Sequence, residues 1–159
     1  MKRCNYAMER LLARVYRNGV TPFYTQRIWE KKTLDGNLFW GIGNFCGIPV
    51  DGVIEYGRKL TELEWQGNEL FFSDENQKKL EKEVIAAYLA LKKQIEEDFS
   101  QWIFDLIVSV DEENHTGCIR FYGLRDGYHY IEPTQENLSG FETEAVLMET
   151  LNEAHLETK

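Results

Sequence analysis

Residues 74–110 constrain the fold of this chain more than any other stretch. Leu80, Val84, Ile85, Tyr88, Leu89, Leu91, Ile95 and Phe99 recur at three- and four-residue steps and share one face of a helix. Lys78, Lys79, Lys82, Glu83, Lys92, Lys93, Glu96 and Glu97 fall mostly on the other face. Asp74, with Gln77 three residues later, matches a capping box for the helix start. A helix over 74–99 would be about 39 Å long, enough to cross a small domain. A strand follows at once. Trp102, Phe104, Leu106, Val108 and Val110 alternate with Ile103, Asp105, Ile107 and Ser109. One long helix beside one strongly apolar strand predicts the centre of an α+β core.

The remaining segments are read around that centre. Tyr6, Met8, Leu11, Leu12, Val15 and Tyr16 predict a first helix over 5–17, closed by Asn18-Gly19. Its other face carries Arg10, Arg14 and Arg17. Arginines so placed can bind phosphates, but a solvated face paired with local acids is the ordinary outcome and the one expected. Pro22 opens an extended stretch, Asp35-Gly36-Asn37 turns it, and Leu38-Phe39-Trp40 returns, which predicts a hairpin. Leu63 and Trp65 alternate with Glu62 and Glu64, and Gln66-Gly67-Asn68 turns the chain before Glu69-Leu70-Phe71-Phe72. That predicts a second hairpin with an acidic outer side. Strands over 118–124 and 128–131 extend the central strand into a three-stranded meander. Ala145, Met148, Leu151 and Asn152 predict a last helix over 141–155. With 159 residues, the expectation is one α+β domain spanning 1–159. Its antiparallel sheet, built from hairpins and a meander, packs against the long central helix, with helices at both termini.

Motifs of chemistry are sparse. Gly41-Ile42-Gly43 invites a phosphate-loop reading, but the third glycine at set spacing and the following helix are missing, as is any Walker Lys-Ser/Thr. A bend between strands is expected there. His115-x-x-Cys118 beside Glu112 and Glu113 lacks the paired ligand spacing of a zinc site. Cys118 and His129 are the one thiol–imidazole pair that a hairpin could bring together. No catalytic residue, cofactor or metal is assigned. Cys4, Cys46 and Cys118 are odd in number and far apart, which predicts free thiols in a reducing compartment. Lys2 and Arg3 are followed by no apolar signal core, because Glu9, Arg10 and Arg14 interrupt it, and no run reaches the length of a membrane span. A soluble cytoplasmic protein is expected.

Charge is the most informative composition figure. The net charge is −9, yet residues 1–32 hold eight Lys/Arg against Glu9 and Glu30, while residues 96–159 hold fifteen Asp/Glu against three Lys/Arg. Such a field disfavours nucleic acid and favours a basic partner.

Phe99-Ser100-Gln101-Trp102, Asp111-Glu112-Glu113 and Phe121-Tyr122 mark a long helix, a tryptophan-led apolar strand, an acidic turn and an aromatic strand. In this pattern residues 92–130, about a quarter of the chain, resemble bacterial immunity proteins of polymorphic toxin systems. The resemblance implies a small acidic cytoplasmic protein that binds and neutralises a cognate toxin, often a basic nuclease domain. The contacts then expected are Asp111, Glu112, Glu113, Asp126, Glu132, Glu142 and Glu149, with Tyr128 and Tyr130 as aromatic anchors. Neither nucleic acid nor membrane is an expected partner. Two other functions fit the sequence. A nucleic-acid-mimicking inhibitor would need carboxylates evenly spaced across one surface. A small ligand-binding or enzyme domain would build a pocket from the Gly41–Gly47 bend with Trp40 and Trp65.

Overall fold

The computed structural model describes residues 1–139 and 143–155. The central pair forms as expected, with shifted ends. The long helix, α3 (Gln77–Asp98), buries Leu80, Val84, Ile85, Tyr88, Leu91 and Ile95. Leu89 is only half-buried at its margin. Asn76, not Asp74, caps α3: its side chain accepts from the Lys79 N–H at 3.2 Å. Asp74 instead accepts from the Asn76 N–H, and Gln77 bonds Glu81. The strand β5 (Phe104–Asp111) begins two residues later than expected. Trp102 lies in the turn before it and is exposed.

Ahead of these lie β1 (Lys2–Cys4), α1 (Tyr6–Asn18), β2 (Ile28–Lys32), β3 (Leu38–Ile42), α2 (Arg58–Gly67) and β4 (Leu70–Ser73). After them come β6 (Thr116–Gly123), α4 (Gln135–Ser139) and β7 (Glu144–Leu151). Five strands form an antiparallel sheet in the order β1-β7-β5-β6-β4, and β2 and β3 form a separate hairpin. The α+β class, the antiparallel sheet and the long central helix thus stand. No helix among the described residues is long and apolar enough to cross a membrane.

Three segments depart from the sequence reading. Residues 58–67 are helical, not a strand. Leu60, Thr61, Glu64 and Gly67 are buried at helical spacing, and the Leu63/Trp65 alternation is incidental. The strand on the far edge of β6 is β4, not 128–131, where the ladder contact among the described residues is a bridge between Arg125 and Tyr128, and β7 flanks β5 on its other side. Residues 144–151 are a strand rather than a helix. They are flanked by β1 and β5 and apolar on both faces, which favours a central strand despite helix-forming Ala, Leu, Met and Glu.

The sheet has two unequal faces. Phe104, Leu106, Val108 and Val110 of β5 meet Ile119 and Phe121 of β6, Ala145, Leu147 and Leu151 of β7, and the apolar sides of α1 and α3. The opposite face carries a small cluster of Leu138, Val146 and Met148, with Ile107 and Ile131 beside it. Residues 124–139 cover that outer face.

Helix α2 joins the sheet to the hairpin. Glu64 and Asn68 stand one turn apart. Glu64 accepts from the N–H groups of Trp40 in β3 (2.7 Å) and Gly123 in β6 (2.9 Å). Asn68 donates to the carbonyls of Trp40 (3.0 Å) and Phe121 (3.2 Å). Two side chains therefore satisfy the backbone of two facing strand edges where no strand intervenes.

Candidate functional site

The expected contact residues fall into two groups at opposite ends of β5, plus two that belong to neither. The first group is the β5–β6 turn. Asp111 orders it: its carboxylate accepts from the N–H of Glu113 (2.9 Å) and of Asn114 (3.2 Å) and from the Asn114 side chain (2.8 Å). The bonds to Asn114 hold its pKa below the ordinary carboxylate value. Glu112 and Glu113 are exposed, but Glu112 lies 3.2 Å from Arg14, which also pairs with the buried Glu81. Part of this acidic turn is therefore already neutralised within the molecule.

The second group is Asp126, Tyr128, Tyr130 and Glu132, in the segment that crosses the outer sheet face. Its anchor is Asp105, an acid placed inside an apolar strand. One Asp105 oxygen accepts from the Tyr122 hydroxyl (2.6 Å) and pairs with His129 Nδ1 (2.6 Å); the other accepts from the Thr150 hydroxyl (2.7 Å). The Tyr122 hydroxyl in turn accepts from the Tyr130 N–H at 2.9 Å. The hydrogen bond to Asp105 raises the His129 pKa, and burial pushes the Tyr122 hydroxyl up. Asp105 is buried and fully partnered, so its role is to clamp residues 129–130 onto the sheet.

This clamp fixes an aromatic ladder above α2. Tyr130 stacks on Trp65 with centroids 4.5 Å apart and planes at 18°. Arg120 lies over Trp65 at 4.6 Å and Arg58 over Tyr128 at 4.7 Å. Tyr130 is 38% exposed and Trp65 half-exposed. Asp126 and Glu132, in the same segment, are exposed, Asp126 with a left-handed φ of 55°.

The remaining two residues are placed otherwise. Glu149 is buried beneath α3, where its carboxylate accepts from the Tyr88 hydroxyl (2.7 Å) and pairs with Lys92 (3.0 Å). It turns inward because residue 149 is on the core side of a strand, not on the outer side of a helix. Glu142 lies outside the described residues. With the named acids split between two ends of β5, they form no evenly spaced row.

The other chemical candidates separate as well. Cys118 pairs with Ser109 across the ladder, whereas the His129 partner Asp105 pairs with Tyr122. Four residues of strand, about 13 Å, thus divide thiol from imidazole. Burial also raises the Cys118 pKa, the reverse of an activated thiol. His115 Nδ1 contacts the Gln77 side chain at 2.8 Å. Gly41 is a packing glycine, since a Cβ there would meet the Trp29 ring at 2.2 Å. Gly43, with φ 58°, makes the bend. Trp40 borders a cavity of about 720 Å³ with Trp102, Leu60, Arg125 and Asp126. Trp65 is not among the residues that line it.

Sequence reasoning placed Asp105, Tyr122 and Glu64 in their patterns without a role, and named Trp65 only as a pocket residue beside Trp40. For Asp105 a signal was present: an acid on an otherwise apolar strand is either an edge residue or a buried anchor. The chain matches no protein-family model, no curated protein and no solved structure.

Proposed function

We propose that this chain is a non-enzymatic binding protein that neutralises a basic toxin domain, the activity implied by its resemblance to immunity proteins. It would act in the cytoplasm with its three cysteines free, and it needs no cofactor. The single observation that supports this best is the stacked Trp65–Tyr130 pair, half-exposed yet held in place by the Asp105–Tyr122 clamp. Interface anchors are rings of this kind: large, low in conformational entropy and fixed before the partner arrives. Asp126 and Glu132, four and two residues from Tyr130 in the chain, are exposed acids, which suits a basic partner. The acidic turn at Asp111–Glu113 is a weaker contact candidate, because Arg14 already engages Glu112.

The test is co-expression with a basic toxin domain encoded next to this gene. The wild-type chain restores growth, and Tyr130→Ala restores it poorly at matched expression. A neighbouring gene without such a domain, or growth arrest that persists beside the wild-type chain, overturns the proposal.

A further inference from the structure

A groove of about 990 Å³ runs between α1 and the start of α3. Arg10, Arg14 and Arg17 line one wall, and Lys78, Lys79 and Lys82 line the other. One third of the eighteen Lys/Arg of a chain with net charge −9 thus face a single cavity. Among the described residues two acids, Glu81 and Glu112, line it with them, and both are engaged by Arg14. Among the described residues, Arg17, Lys78 and Lys82 have no acid within ion-pair distance, and Arg10 sits only over the Tyr6 ring. Lys79 pairs with Asp74 and Glu83.

Folding accounts for Arg14 and Lys79, which have acid partners, but gives no reason for Arg10, Arg17, Lys78 and Lys82 to face the same groove. Arg10 and Arg14, and Lys78 and Lys82, are like charges four residues apart, which weakens each helix. The first turn of α3 holds lysines and no acid, although the positive end of the helix dipole favours acids there. A bound anion would relieve both conflicts at once, screening the like pairs and meeting the free N–H groups of α3. The arginines at positions 10, 14 and 17 span about 10 Å of helix, wider than one phosphate group. Among the described residues no aromatic side chain lines the groove, so it offers no ring platform for a nucleobase.

We propose that the α1–α3 groove binds an oligophosphate: two or more linked phosphate groups, either a free inorganic chain or the phosphate tail of a nucleotide. The site lies by the β5–β6 turn, at the far end of β5 from the Tyr130 face, and is independent of the docking proposed there.

The test is calorimetric titration of the whole chain at low salt with inorganic tripolyphosphate, ATP and orthophosphate. Tripolyphosphate binds at one site, weakens as salt rises, and outcompetes orthophosphate. ATP binding as tightly identifies a nucleotide tail as a sufficient ligand; ATP binding far more weakly identifies the free chain. Lys78→Gln with Lys82→Gln, both exposed, lowers tripolyphosphate affinity at least about tenfold, as loss of charge-assisted hydrogen bonds requires. The same variant without ligand melts no lower than wild type, because a repulsion has been removed. Lys93→Gln, elsewhere on α3, leaves binding unchanged. Absence of tripolyphosphate binding, or equal loss in the Lys93 variant, overturns the site. Tighter binding of a polyglutamate peptide or a single-stranded oligonucleotide than of tripolyphosphate overturns the ligand class.

Discussion

Glu64 is wholly buried, and two opposing effects act on it. Burial pushes its pKa up; Arg125 and the N–H groups of Trp40 and Gly123 pull it down. Both carboxylate oxygens accept from N–H donors only: Gly123 and Arg125 (2.5 Å) on one, Trp40 and Arg125 (3.1 Å) on the other. No lone pair is left for a proton, so the ionised form fits the site. Arg125 has the same dependence in reverse, since its guanidinium also donates to the carbonyls of Leu38 and Gly123. Glu64→Gln should therefore destabilise by about 3–5 kcal/mol in urea unfolding, because it leaves Arg125 charged and without its counter-ion. A loss below about 1 kcal/mol would mean that the pair is not buried in solution. His129 supplies a pH-dependent contribution. Its folded pKa lies above the ordinary 6.5, so its stabilising effect is complete below pH 6.5 and fades as pH rises through the folded value. Wild type should lose stability relative to His129→Gln over that rise. A constant difference across it would show that the His129–Asp105 contact carries no proton-linked energy.

Packing overrides propensity in whole elements. Gly67 ends α2, and on propensity alone Gly67→Ala should stabilise the helix by up to about 1 kcal/mol. The structure reverses the sign. A Cβ at Gly67 would lie 2.4 Å from the buried Phe45 ring, which itself packs on Trp29 and Phe39. Gly67→Ala should lower stability by about 1–3 kcal/mol through overpacking, read as a fall in melting temperature. A rise would place Phe45 elsewhere. Strand β7 illustrates the same rule: its helix-forming residues take strand geometry because β1 and β5 pair with both its edges.

Charge acts across the whole molecule. The basic groove and the aromatic face sit at opposite ends of β5, so a partner at one need not cover the other. If a basic domain docks on the Tyr130 face, its association should slow as salt rises, because screening at about 0.15 M limits steering to about 8 Å. Asp126→Lys with Glu132→Lys should mainly lower the association rate, and Tyr130→Ala should mainly raise the dissociation rate. Stopped-flow and dissociation measurements at two salt concentrations separate these effects. Unchanged rates in both variants would move the interface off this face.

The sequence by itself determined the parts whose pattern is local and long. Periods of 3.6 and 2 located α1, α3, β5 and β6, and turn residues located the β2–β3 hairpin, because helix and strand faces repeat at fixed steps. Only the tertiary structure decided the rest. Residues 62–65 alternate like a strand, but Glu64 is an inward helical residue serving two strand edges. Residues 144–151 have a helix-like composition, but their neighbours make them a central strand. That change of period turns Glu149 from an expected contact into a buried partner of Tyr88 and Lys92. The Trp65–Tyr130 stack joins residues 65 positions apart, and the basic groove joins two helices separated by more than fifty residues. Contacts that distant leave no periodic trace in a chain; they arise when folding brings the faces together.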